Sequence, residues 1–199
     1  MAITINGSTN TLTGVAVGGL PDGIVDNDMI ANSTIAEAKL AANVNTITMA
    51  DQWRITSSFS YGNSVTTINA NWERADADNP GFIGSAMTES SGVFTFPETG
   101  IYRIAFKANN TNTSAAASNN AYIYVTTINS SYNDASISLT RNPSANAYGF
   151  TYSEFIFDVE DTSTHKVKFA VYASAANSLV YGHTERHGSA AYFTRLGDT

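Results

Sequence analysis

Few residues in this chain could carry chemistry. The 199 residues include three histidines and no cysteine, which removes thiolate nucleophiles, thiolate zinc sites and disulfides together. His183 and His187 stand four apart, a spacing that joins two metal ligands only on a helix. Their flanks, Tyr181-Gly182 and His187-Gly188, read as loop. One reading is a pair of surface-loop histidines; the other gathers one histidine from each of three chains around an axial metal. Asp22, Asp26 and Asp28 form one acidic cluster, and Asp76-Ala77-Asp78-Asn79 forms another. Oxygen-rich loops of this kind hold calcium, but neither has full ligand spacing, and solvated turns also account for them. No cofactor is expected, with calcium or another axial metal as the open alternative. There is no Gly-x-Ser-x-Gly elbow, no phosphate-cradling Gly-x-x-x-x-Gly-Lys loop and no His-Glu-x-x-His helix. Two carboxylates at a suitable separation suffice for a glycosidase, so a polysaccharide-degrading fibre enzyme is one alternative; the expectation is a chain that is not an enzyme.

Composition narrows the partners. The net charge is −7, and the ten basic residues are scattered, whereas a phosphate backbone needs clustered Lys and Arg. No nucleic-acid partner is expected. No apolar run reaches the length of a membrane span, and the opening MAITINGSTN lacks the basic and apolar regions of a secretory signal. Only 14% of residues are charged, well under the usual quarter. Asn, Ser, Thr and Gly supply the polar surface instead, and these favour strands and turns over helices.

The elements that would position any site fall into three segments. Residues 1–21 alternate loosely and end in the turn signal Gly18-Gly19-Leu20-Pro21-Asp22-Gly23. Residues 22–49 contain an eleven-residue repeat, DGIVDNDMIAN (22–32) against STIAEAKLAAN (33–43), matching Ile24 with Ile35 and Met29 with Leu40. Eleven residues are close to three helical turns, which predicts a helical stalk. Two such units cannot bury their apolar face alone; it is covered either by the main domain or by identical neighbours about a three-fold axis.

Residues 50–199 change to a period of two. Tyr102, Ile104 and Phe106 share one face against Arg103 and Lys107, and Ile123 and Val125 oppose Tyr122 and Tyr124. Phe155, Phe157 and Val159 alternate with Glu154 and Asp158, and across the turn 160–164 Val167, Phe169 and Val171 read as the partner strand of a hairpin. Shorter strands are expected at 53–60, 65–72, 93–96, 136–139, 179–181 and 191–196. About ten strands between Asn/Ser/Gly loops make a β-sandwich. The tract Asn109–Asn120 reads as an exposed mobile loop.

The stretch Ser91-Gly92-Val93-Phe94-Thr95-Phe96-Pro97-Glu98-Thr99-Gly100-Ile101-Tyr102 resembles the C1q/TNF-like family, with its Gly-x-Phe-x-x-Pro segment leading into Gly-x-Tyr and a long central strand. Trp72-Glu73-Arg74, the pair within Phe155–Val171 and the ending Ala191-Tyr192-Phe193-Thr194-Arg195-Leu196-Gly197 fit the same pattern. That family usually has Phe-x-Gly where this chain has Phe193-Thr194-Arg195-Leu196. The resemblance implies an all-β, ten-stranded jelly-roll β-sandwich that is homotrimeric on a short N-terminal stalk. Ile5-Asn6-Gly7-Ser8 through Gly23 and the repeats resemble the N-terminal region of tail-fibre and other virion structural proteins of tailed bacteriophages.

Together the two resemblances imply a trimeric fibre or appendage exposed on a virion and made in the host cytoplasm. Its N-terminal segment would meet other virion proteins, and its knob a host-surface glycan or protein. A capsid decoration or connector without a receptor is the alternative. The aromatic surplus on the strands exceeds what one core needs, and trimerising sandwiches bury such rings at the axis. The expected interface is therefore Tyr102, Phe106, Tyr122, Tyr124, Phe155 and Phe193, with Ile24, Met29, Ile35 and Leu40 of the stalk. The expected ligand loops carry Asn110, Asn112, Asn146 and Tyr148.

Overall fold

The computed structural model describes residues 4–6, 8, 11–13 and 47–199. The chain divides into two units, Met1–Val44 and Asn45–Thr199. In the first, β1 (Thr4–Asn6) and β2 (Thr11–Thr13) pair antiparallel. The eleven-residue repeat, with Ile24, Met29, Ile35 and Leu40 and the acidic cluster Asp22, Asp26 and Asp28, lies outside the described residues.

The second unit is a sandwich of two antiparallel sheets, and no described residue is helical. The first sheet holds β3 (Ala50–Ile55), β4 (Phe59–Tyr61), β6 (Trp72–Arg74), β9 (Gly100–Thr111), β12 (Tyr148–Val159), β14 (Ser178–Val180) and β15 (Ala190–Gly197). The second holds β5 (Thr66–Thr67), β7 (Thr88–Ser90), β8 (Val93–Thr95), β10 (Ser118–Thr126), β11 (Asn133–Arg141) and β13 (Lys166–Ala173). These thirteen strands exceed the expected ten because several are two- or three-residue edge pieces too short to show a period.

Strand β9 is the centre of the first sheet. Along one edge it pairs with β12 over all twelve residues; along the other it meets β15 and, further on, β14. The long strands enter the core with alternate residues, so Tyr102, Ile104, Phe106, Ile123, Val167, Phe169 and Phe193 are all buried. The core is an aromatic lattice around Phe94. Its ring lies 5.1 Å from Trp72, 5.4 Å from Trp53 and Phe169, and 5.3 Å from Phe193, mostly edge-on, the geometry that ring quadrupoles favour. The segment that suggested the family supplies this hub through a two-residue hairpin. Ser91 and Gly92 both have positive φ, 51° and 80°, the requirement of a type I′ turn.

Three expectations are corrected here. Tyr102, Phe106 and Phe193 are 0–1% exposed, so the sandwich's own core takes them and none can line an interface. Phe155–Val159 and Val167–Val171 do not pair, since β12 lies in one sheet and β13 in the other. The turn at 160–165 arches between layers; an arch sends the same alternate residues into the core as a hairpin does, and the pattern alone does not separate the two. Finally, half of Asn109–Asn120 is strand, and the turn between β9 and β10 is confined to residues 112–117.

A buried carboxylate ties β3 to its surroundings. Asp51, 4% exposed, accepts hydrogen bonds from its neighbour's amide Gln52 N (2.8 Å), from Trp53 Nε1 (3.0 Å), Met87 N (2.9 Å) and Arg74 Nε (3.2 Å). Arg74 in turn donates to the Met87 carbonyl and lies 4.9 Å over the Trp53 ring. Removing the carboxylate strands several buried donors and one cation. Asp51→Ala should lower stability by about 3 kcal/mol, read as a lower urea midpoint, with Asp51→Asn recovering part of the loss.

Candidate functional site

A sandwich buries one face of each sheet and leaves the other to solvent or to a partner. On β12 the odd residues Thr151, Ser153, Phe157 and Val159 are buried against the core. The even residues Tyr148, Phe150, Tyr152, Glu154 and Ile156 face outward. Four of these are large and apolar or aromatic, and all four are exposed, Tyr148 at 78%, Phe150 at 63%, Tyr152 at 43% and Ile156 at 59%. Strands normally alternate between apolar and polar faces; this one is apolar on both. Large apolar side chains exposed along one strand in this way mark a contact surface.

Register with β9 and β15 continues the face inward. Tyr152 lies opposite Lys107, Glu154 opposite Ala105 and Ile156 opposite Arg103, and Tyr192 of β15 flanks Ala105 on the other side. One polar cluster interrupts the apolar surface. Arg103 grips Glu154 with two hydrogen bonds, Nε to Oε1 at 2.8 Å and Nη2 to Oε2 at 2.6 Å. The Tyr152 hydroxyl donates to the same carboxylate at 3.0 Å. These bonds, the arginine's first, hold the Glu154 carboxyl below its usual range. A bidentate fork is directional, so it can fix the register of whatever lies against it.

At one end of this face is a pocket of about 380 Å³, lined by Asn109, Tyr148, Gly149, Phe150 and Tyr181. The rings of Tyr148 and Tyr181 are 5.3 Å apart and inclined at 34°. Tyr181 follows β14 and is held by a hydrogen bond from its amide to the Asn109 carbonyl at 3.0 Å. Burial, and then the hydrogen bond with Tyr148, pushes the Tyr181 hydroxyl up to about 12. Gly149 is required where the chain passes over two carboxamides: a Cβ there would lie 2.3 Å from Asn142 Oδ1 and 3.2 Å from Asn110 Oδ1.

Of the expected ligand residues, Tyr148 lines this pocket and Asn146 is exposed in the neighbouring turn. Asn110 and Asn112 are 1% and 0% exposed, which corrects their assignment to ligand loops. Their amides bond to backbone carbonyls, Asn112 Nδ2 to Ala117 O at 3.0 Å and Asn110 Nδ2 to Ala108 O at 3.3 Å. Tyr122 and Tyr124 stack at 5.6 Å on the outward side of β10, in the other sheet, while Phe155 packs half-buried against the core. The structure thus brings none of the expected interface aromatics into the β12 face. Phe150, Tyr152, Ile156, Tyr181 and Tyr192 were not singled out for that role. The signal for Phe150 and Tyr152 was the run Tyr148-Gly149-Phe150-Thr151-Tyr152 just before Glu154, which places rings on the parity read as solvated.

His187 sits beside the same face, its ring 6.0 Å from Tyr192, with Lys107 Nζ donating to its carbonyl at 3.3 Å. Arg54, 1% exposed and paired with Glu73 at 2.7 Å and with Asp76, lies close by. His183 instead accepts from the Glu185 amide at 3.0 Å. Among the described residues no three His, Cys, Asp or Glu side chains converge as metal ligands, and no helix is long and apolar enough to cross a membrane.

No protein-family model matches the sequence, and none of the curated proteins compared is similar to it. Solved structures do match in fold. Murine APRIL at pH 5.0 aligns with a TM-score of 0.56 at 14% identity, covering 74% of this chain and 98% of that one. Eiger TNF from S. frugiperda aligns with a TM-score of 0.57 at 11% identity, covering 77% and 96%. The PRD1 vertex protein P5 gives a TM-score of 0.44 at 14% identity, covering 76% and 99%, too loose to bear on fold or function. The fold is a TNF-like jelly roll.

Burial first, and then the charges of Arg54 and Lys107, hold the His187 imidazole below its ordinary value of 6.5. The unfolded chain therefore binds this proton more readily than the folded one, and stability rises with pH across that interval. The His187 contribution should be full above about pH 6.5 and lost as pH falls through the folded value. His187→Gln should flatten the acid side of a plot of melting temperature against pH.

Proposed function

We propose that this chain is a homotrimeric virion structural protein of a tailed bacteriophage, a tail fibre or appendage whose jelly-roll knob binds the host surface. Residues 1–21 attach to other virion proteins, residues 22–49 form a stalk that aligns three chains, and residues 50–199 form the knob. The observation that carries this reading is the outward face of β12 and its neighbours. A sheet edge with Tyr152 and Ile156 exposed in one line is unsuited to life as a monomer. Covering it with identical copies closes the surface by symmetry, as most oligomers do. The TNF-like fold and the resemblance of residues 5–43 to phage fibre N-terminal regions support the same reading. Three copies of a weak site would then bind a host cell through effective concentration. The trimer is formed by Tyr152, Glu154 and Ile156 of β12 together with Tyr192, not by the rings that fill the core. The chain's work is adhesion rather than catalysis.

Light scattering on the purified full chain should give the mass of three chains. Tyr152→Glu with Ile156→Glu should give one, with an unchanged β-sheet circular dichroism spectrum, because both side chains are exposed. A wild-type mass of one chain would sink the trimer. Antibodies raised against residues 50–199 should label the virion and block adsorption to host cells. Labelling without any block of adsorption would favour the decoration or connector role.

A further inference from the structure

The pocket between Tyr148, Phe150, Tyr181 and Asn109 lies at the opposite end of the first sheet from the place where the Arg195 amide bonds to the Met49 carbonyl. From Ile156 to Phe150 is six residues of β12, about 20 Å along the strand. The pocket is therefore separate from the rows centred on Ile156 and Arg103. Three features define its chemistry. Its walls are aromatic, two phenols at 5.3 Å and one phenyl ring. Its polar groups are hydroxyls and a carboxamide, which both donate and accept. No charged side chain lines it. Gly149 contributes backbone to it, since a Cβ there would point to the inner side, against Asn142 and Asn110. Its volume, about 380 Å³, lies at the small end of the range for ligand pockets.

An anionic ligand would need Arg or Lys in the lining, and a purely apolar one would leave the Asn109 side-chain amide without a partner. A neutral pyranose satisfies both kinds of wall. Its C–H face lies flat on an aromatic ring, and its hydroxyls exchange hydrogen bonds with carboxamide and phenol. The geometry points to a binding site for a neutral saccharide on Tyr148, Phe150 and Tyr181, with Asn109 as the polar contact. This deepens the host-binding reading above and rests on it. The turns 112–117 and 142–147, which leave β9 and enter β12, are laced together: Asn146 N donates to Asn112 O at 2.7 Å, and Asn142 N to Ala117 O at 3.1 Å. The pocket is thus set on fixed backbone, which limits the ordering cost on binding.

The test uses the full chain and saturation-transfer difference NMR. The probes are methyl glucoside, methyl galactoside, N-acetylglucosamine, maltose and lactose at millimolar concentration. Transfer to at least one sugar is expected, with affinity reduced about tenfold or more in Phe150→Ala and Tyr181→Ala and less in Tyr181→Phe, which keeps the ring. Absence of transfer to all five sugars, or equal transfer in both alanine variants, overturns the site. Light scattering on the same samples separates the two readings. If no sugar binds and Phe150→Ala alone breaks the trimer, the pocket belongs to the contact between copies and the saccharide assignment fails. If the wild type is monomeric yet binds sugar through these residues, the trimer fails and the saccharide site stands.

Discussion

The twelve-residue antiparallel ladder between β9 and β12 fixes what every other part of the domain can do. Because side chains alternate with a period of two, that register sends Phe157 and Val159 into the core and commits Tyr148, Phe150, Tyr152, Glu154 and Ile156 to the other side. A slip of one residue would exchange the two sets. It would also bring Glu154 and Asp158 into the aromatic lattice, at the cost of burying unpaired carboxylates. The apolar outward face is therefore not an accident that a small adjustment could remove. It is enforced by the same ladder that closes the core.

The ladder is held in place from its far side. Strand β15 pairs with β9, β3 pairs with β15, and β3 is anchored by Asp51 to Arg74 and Met87. At the other boundary Arg195 donates from Nε to the Thr99 carbonyl at 2.8 Å. Gly100, with φ of 141°, passes so close that a Cβ would fall 2.4 Å from Arg195 Nε. The Gly-x-Tyr pair that suggested the family in the sequence thus has a local cause: glycine admits the arginine, and Tyr102, whose hydroxyl reaches the Glu98 carbonyl at 2.9 Å, closes the corner.

Much of the fold was legible because burial leaves a period. Tyr102, Ile104 and Phe106 occupy one side of β9 as their spacing required, and Ile123 and Val125 one side of β10. Layer assignment was not legible, since an arch and a hairpin impose the same alternation on β12 and β13. The site was legible only at Tyr148. Glu154 and Asp158 marked the even face of β12 as solvated, and the rings that precede them were outweighed. Asn110 and Asn112 misled for a different reason. Polar composition is evidence for exposure only when water is the best available partner, and here backbone carbonyls serve instead.

The asparagine-laced turns carry a consequence for how the protein can change over generations. Residues 112–117 and 142–147 keep their shape through side chains bonded to main-chain carbonyls, by the amides of Asn112 and Asn142 and by Thr111, whose hydroxyl donates to the Ala147 carbonyl at 2.9 Å. The exposed tips between these anchors, such as Ser114, Ala115, Ser144 and Ala145, contribute little to that scaffold. They are free to drift while the frame persists, so new surface variants can arise beside the aromatic pocket without a toll on folding.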